Sequence, residues 1–167
     1  MSQNVKGTTY PSELREFEDS RTGAHIYQLT NHASINHNLY FLTPSFTPDQ
    51  KRVVFTSYRS GKPNFYKLNF PDGEIVQLTD ADGVHGYSGI ISKEGSELFY
   101  TQGDAIKGIH LESLEERTLE RFEGGGLGEC SLSNSGKYIV TALKREGVSH
   151  IAVTATDGSG GRVIHTS

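Results

Sequence analysis

A unit that recurs every 40 to 45 residues or so constrains this chain more than any single motif, because fixed-period self-similarity decides architecture before local patterns do. The best-preserved copy runs from Pro44 to Thr79. Within it Pro48-Asp49-Gln50-Lys51 is a turn cluster, and Arg52 to Thr56 is a β-branched and aromatic run of strand length. Arg59 to Pro63 turns into Asn64 to Asn69, whose alternation of apolar and polar residues predicts a half-buried strand. Pro71-Asp72-Gly73 gives a hairpin signal ahead of Glu74 to Thr79. With Ser45-Phe46 as a short first strand, the unit reads as a four-stranded antiparallel sheet, its strands termed a to d.

The a-to-b turn Asp49-Gln50-Lys51 recurs as Glu94-Gly95-Ser96 and Ser135-Gly136-Lys137. A strand follows each time, as Val53-Val54-Phe55, Leu98-Phe99-Tyr100 and Tyr138-Ile139-Val140. Upstream, Thr22 to Thr30 matches Asp72 to Thr79 and so reads as a d strand without its own a, b and c strands. This repeat length with four strands per copy predicts an all-β fold, a β-propeller with WD-like four-stranded blades. The expected organisation is an N-terminal arm over 1–11 and a partial propeller over 12–167, in which about three blades follow a closure strand at 22–30. Blade one is expected over 44–79, blade two over 89–122 and blade three over 130–166. Residues 12–19 read as a short helix or an outer strand. A leading d strand of this kind commonly completes the last blade, so the chain is expected to be the N-terminal part of a longer propeller. Taken alone it would leave blade edges unpaired, open to dimerisation through them.

Composition narrows the function classes. Nineteen glycines, no tryptophan and 34% apolar residues favour a turn-rich all-β protein over a helix bundle. A net charge of −4 gives no nucleic-acid footprint. The N-terminus lacks an apolar signal core and no apolar run spans a membrane, so a cytoplasmic protein without a membrane partner is expected. The one cysteine, Cys130, excludes an intramolecular disulfide framework.

Chain direction alternates within a blade, so d-to-a and b-to-c connections emerge on one face. That sorting collects His32, His37, Asn38, Tyr40, Tyr58, Arg59, Lys62, His85, Tyr87, Gln102, Lys144 and Arg145 on a common rim. Cations suit carboxylates, ring faces suit sugars and amides suit hydroxyls, so an anionic, polyhydroxylated ligand fits such a rim. His37, Asn38, Tyr40, Arg59, His85 and Arg145 are the candidate substrate-binding residues. The rival reading is a set of ordinary solvated loops.

Asp19-Ser20-Arg21-Thr22-Gly23, Gln28-Leu29-Thr30, His37-Asn38-Leu39-Tyr40-Phe41, Asn64 to Leu68, Gln77 to Asp80 and Leu111 to Glu116, in that order, resemble the start of the oligogalacturonate lyases. The resemblance covers residues 12 to 145. It implies a seven-bladed, intracellular propeller that cleaves short pectin fragments by β-elimination, with oligogalacturonide as substrate and manganese as cofactor. The family's metal-bearing run is Gln-x-x-His-x-His directly before a Pro-Ser-Phe-Thr-Pro-Asp turn. Here that turn is Pro44 to Asp49, preceded by Tyr40-Phe41-Leu42-Thr43, which offers no ligand. The resemblance therefore assigns this chain substrate-side loops, with no metal ligand and no catalytic residue. The family's His-Arg-Asn-Tyr-Phe appears as His37-Asn38-Leu39-Tyr40-Phe41, which keeps the histidine and the Tyr-Phe pair without the basic neighbour.

The repeat signals taken singly also resemble TolB-type propellers, so the alternative function is a TolB-like module that binds protein or peptide without catalysis. Gly124 to Gly128 lacks the Lys-Ser/Thr and the helix of a phosphate loop. No serine sits in a G-x-S-x-G context.

Overall fold

A computed structural model describes residues 5–167, which form fifteen strands and no helix. None of the described residues forms a helix long and apolar enough to cross a membrane. The strands are β1 (Thr9–Tyr10), β2 (Arg15–Glu18), β3 (His25–Gln28), β4 (Asn36–Asn38), β5 (Arg52–Ser57), β6 (Asn64–Asn69), β7 (Ile75–Gln77) and β8 (Ile90–Ile91). There follow β9 (Glu97–Gln102), β10 (Ala105–His110), β11 (Glu116–Arg121), β12 (Gly125–Leu132), β13 (Tyr138–Arg145), β14 (Val148–Ala155) and β15 (Gly161–Thr166).

They assemble into three antiparallel sheets, ordered β1-β7-β6-β5-β4, β11-β10-β9-β8 and β12-β13-β14-β15, beside a hairpin of β2 and β3. The core lies in layers between sheets. Leu39, Val54 and Phe65 of the first sheet region meet Leu98, Tyr100 and Ile109 of the second, while Phe99, Ile106 and Leu119 of the second meet Ile139, Leu143 and Ala152 of the third. The outer layer, Phe55, Tyr66, Leu68 and Ile75, is covered by Tyr10, Leu29 and Phe70. Strands buried on both faces explain why β5 reads as a nearly continuous apolar run.

Three expectations change. Of the arm expected over 1–11, the first four residues lie outside the described ones. The remainder is not irregular throughout, since Thr9 and Tyr10 pair with Val76 and Ile75 as a fifth strand of the first sheet. Residues 15–18 form a strand, which decides against the helical reading of 12–19. The inner strands also begin earlier than expected. In the first sheet β4 pairs Asn36, His37 and Asn38 with Ser57, Thr56 and Phe55, the chain leaves the sheet at Leu39, and pairing resumes where Ser45 accepts the Val54 N–H and Phe46 bridges Val53. The inner strand of the second sheet is interrupted likewise. Val84 bridges Gln102 and His85 donates its N–H to Thr101, before β8 resumes opposite Phe99 and Leu98. In the third sheet the register breaks between Leu127 and Cys130. These segments lack β-rich composition and pair because the upper halves of the buried b strands carry backbone groups that need partners.

The interruptions are fastened from the neighbouring blade. The buried Thr56 donates its hydroxyl to the Gly86 carbonyl at 2.6 Å, and Thr101 donates to the Gly128 carbonyl at 3.1 Å. Thr141 occupies the same repeat position and also reaches Gly128, within its own sheet, at 3.3 Å.

Candidate functional site

The kink after β4 brings three of the expected residues together. The His37 Nδ1 lies 2.7 Å from the Asn38 carbonyl oxygen. A carbonyl can only accept, so Nδ1 carries the proton and donates it there. The ring's Nε2 is buried, with no partner among the described residues. Asn38 donates its side-chain amide to the Tyr40 carbonyl at 3.1 Å, which fixes the first turn of the excursion. The Tyr40 ring rests on Phe41, with centroids 4.2 Å apart.

Two tyrosines from the same rim complete the cluster. Tyr87, in the connection from β7 to β8, stacks on the His37 imidazole at 4.3 Å and 21° and meets the Tyr40 ring in a T-shaped contact at 6.4 Å and 76°. Tyr58, after β5, tilts against His37 at 6.2 Å. The closeness depends on Gly86. A Cβ there would stand 3.1 Å from the Thr56 methyl and 3.3 Å from Pro63, so any larger residue would push these neighbours by a few tenths of an ångström. Neither Tyr58 nor Tyr87 stands among the six expected contact residues. The legible signal for Tyr87 is an aromatic residue within a connection of otherwise small and polar groups, Asp80 to Gly89.

His85 lies two residues before Tyr87. Its carbonyl accepts the Ser88 N–H and hydroxyl, while the Ser88 oxygen accepts the Thr101 N–H, tying the connection to β9. The His85 Nδ1, like His37 Nε2, is buried without a partner among the described residues.

Arg59 requires correction. Its side chain is only 1% exposed, and its guanidinium donates to both oxygens of Glu13 at 3.0 and 3.4 Å. The same group lies over the rings of Tyr10, Phe55 and Tyr66 at 5.2 to 5.9 Å. It therefore joins the N-terminal segment to the first sheet and does not face the rim. Glu13 is shaped by the same contact. Burial pushes its carboxyl up, but the Asn31 amide, the Arg59 guanidinium and the His32 amide together outweigh it and hold the group below its ordinary value. Arg145 ends β13 opposite Gly125, at the rim of the third sheet, and makes no ring contact or ion pair with the His37 cluster among the described residues. Its Nε is buried without a partner among the described residues. The structure thus gathers His37, Asn38 and Tyr40, sets His85 beside them, and separates Arg59 and Arg145.

Another rim cation, Lys62, lies 3.6 Å from Asp80 and 3.0 Å from Asp82. Tyr40 also borders a groove of about 600 Å³ that continues past Leu42 and Phe46 to Ile90, Ile91 and the Glu129 to Leu132 stretch of β12. Burial pushes the Cys130 thiol up to about 12, so it is not a nucleophile at neutral pH. Among the described residues no three His, Cys, Asp or Glu side chains are grouped to hold a metal ion.

Comparison with known proteins adds a third line. The sequence model of the oligogalacturonate lyases matches residues 4–152. The chain is 28% identical to an oligogalacturonide lyase of Pectobacterium atrosepticum and 27% identical to an oligogalacturonate lyase of Dickeya dadantii, each over 146 residues, 85% of this chain and 38% of the relative. Its fold superposes on an oligogalacturonate lyase in complex with manganese with a TM-score of 0.87 at 21% identity, across 98% of this chain and 49% of that one. A TolB from Acinetobacter baumannii shares the fold at a TM-score of 0.64 and 17% identity, across 92% of this chain and 38% of that one. The chain spans less than half the length of these relatives.

Proposed function

The chain belongs to the oligogalacturonate lyase family, and on that premise we propose that it takes part in the β-eliminative cleavage of short oligogalacturonides, supplying the substrate-side wall of the site. The observation that carries this reading is the family match over residues 4–152, on a fold that follows a lyase of that family across 98% of the chain.

The chemistry explains the division of labour. Removing the proton α to a uronate carboxylate requires that carboxylate to be neutralised and a base to be positioned, after which the 4-O-glycosidic bond leaves. The manganese of the related lyase does not fit the rim of the described residues, where His37 and His85 adjoin Gly86 and no three His, Cys, Asp or Glu side chains are grouped to hold it. These residues are suited to binding and orienting. Asn38 and Tyr40 set the excursion, His37 underlies the rim rings, and His85 anchors the adjoining connection to β9. The metal ligands and the base are assigned outside these 167 residues.

Titrating the chain with digalacturonate and trigalacturonate tests the reading. Binding is expected, without the rise in ultraviolet absorbance that an unsaturated product gives in the presence of manganese. Turnover by this chain would refute the assignment of the base elsewhere. Failure to bind either ligand would remove the substrate reading itself.

A further inference from the structure

We propose that the outer face of Tyr87 is a docking platform for one sugar ring that is read by its apolar face and not by its carboxylate, so that a galacturonosyl residue and its methyl ester bind there alike. This rests on the oligogalacturonide reading above and names which units of the substrate the rim accepts.

The first observation is geometric. Tyr87 is 46% exposed with His37 stacked on one of its faces and Tyr40 in a T-shaped contact 6.4 Å away, so much of the ring's remaining surface is open to a ligand. The stack holds the ring in place before any ligand arrives, which lowers the ordering cost of binding. An aromatic face presented in this way suits the C–H-rich face of a pyranose.

The second observation is electrostatic. Residues 30–44 and 80–91, which carry His37, Tyr40 and Tyr87, contain no lysine or arginine. The connection that carries Tyr58 contains two cations, Arg59 and Lys62. Arg59 is turned inward onto Glu13, and Lys62 is held by Asp80 and Asp82. Those two aspartates lie on the connection of Tyr87 itself, so the charges that this connection carries do not attract an approaching carboxylate. A subsite of this kind suits a sugar next to the one that reacts, where the ester is tolerated.

Isothermal titration of the chain with trigalacturonate, its fully methyl-esterified form and a neutral cello-oligosaccharide, at low and high salt, tests the platform. The free acid and the ester should bind within about twofold of each other and with little salt dependence, because no exposed ion pair forms. Tyr87→Ala should weaken both roughly five- to tenfold, the span of a lost ring contact, while Tyr87→Phe should retain them. Tyr87→Leu keeps His37 covered and should lose the same affinity, which separates platform loss from unfolding. A free acid that binds far more tightly than the ester, with steep salt dependence, would overturn the proposal, as would wild-type affinity in Tyr87→Ala and Tyr87→Leu. Cello-oligosaccharide binding through Tyr87 without galacturonide binding would instead overturn the oligogalacturonide reading and leave the ring platform standing.

Discussion

Glu13 does more for this molecule than its place in a polar stretch indicates. Its carboxylate is a charged partner of a guanidinium buried among three aromatic rings, so Glu13→Gln removes one counter-charge from Arg59. Losing one member of a buried pair costs about 3 kcal/mol, and the partial exposure of Glu13 brings the expected loss to roughly 2 kcal/mol, readable by urea unfolding. The pH dependence has a definite sign. Because the folded carboxyl is held below its ordinary value, its contribution is complete above the unfolded carboxylate pKa and is lost as pH falls through the folded one. The stability gap between wild type and Glu13→Gln should therefore be widest near neutrality and close in acid. Sequence alone could rank Arg59 as a rim cation because its partner lies 46 residues earlier, in a segment whose fold carries no repeat signal. His37, Asn38 and Tyr40 were legible because one short run places them on a single connection.

Among the elements, strands b, c and d were readable from alternation and turn residues, whereas the inner strands were not. Asn36-His37-Asn38 has little intrinsic preference for a strand and Val84-His85 is too short a run to signal one, and they pair because β5 and β9 present backbone groups that need satisfying. The repeated threonine is the device that holds these interruptions. Thr56→Val removes the side-chain donor on the buried Gly86 carbonyl and should cost about 1 to 2 kcal/mol by thermal or urea unfolding. Thr141→Val should cost less, since Gly128 still receives the Thr101 hydroxyl. Gly125→Ala tests packing instead. The added methyl would fall 2.2 Å from the Leu143 Cδ1 and 2.9 Å from the Phe122 carbonyl, so β12 must shift, with an expected loss of roughly 1 to 3 kcal/mol.

At the scale of the whole molecule, burial is uneven. All six residues of β15 are exposed, and Tyr138, Ile151, Val163 and Ile164 leave apolar surface open on the third sheet. An unpaired edge next to such a surface favours self-association, and sedimentation velocity should show it rising with concentration. Val163→Lys at that edge should reduce it without changing the melting temperature by more than a few degrees. The layered core and the repeating threonine also differ in direction. Thr56 and Thr101 each reach forward to the kink of the blade that follows, while the excursion after β4 is closed from within its own segment by the Leu39 N–H on the Ser45 hydroxyl. The corners that carry His37, Tyr87 and the glycine-rich turn are thus set in series from the first to the last. A polypeptide leaving the ribosome N-terminus first meets each template already in place, so shape is handed down the chain instead of being negotiated at the end.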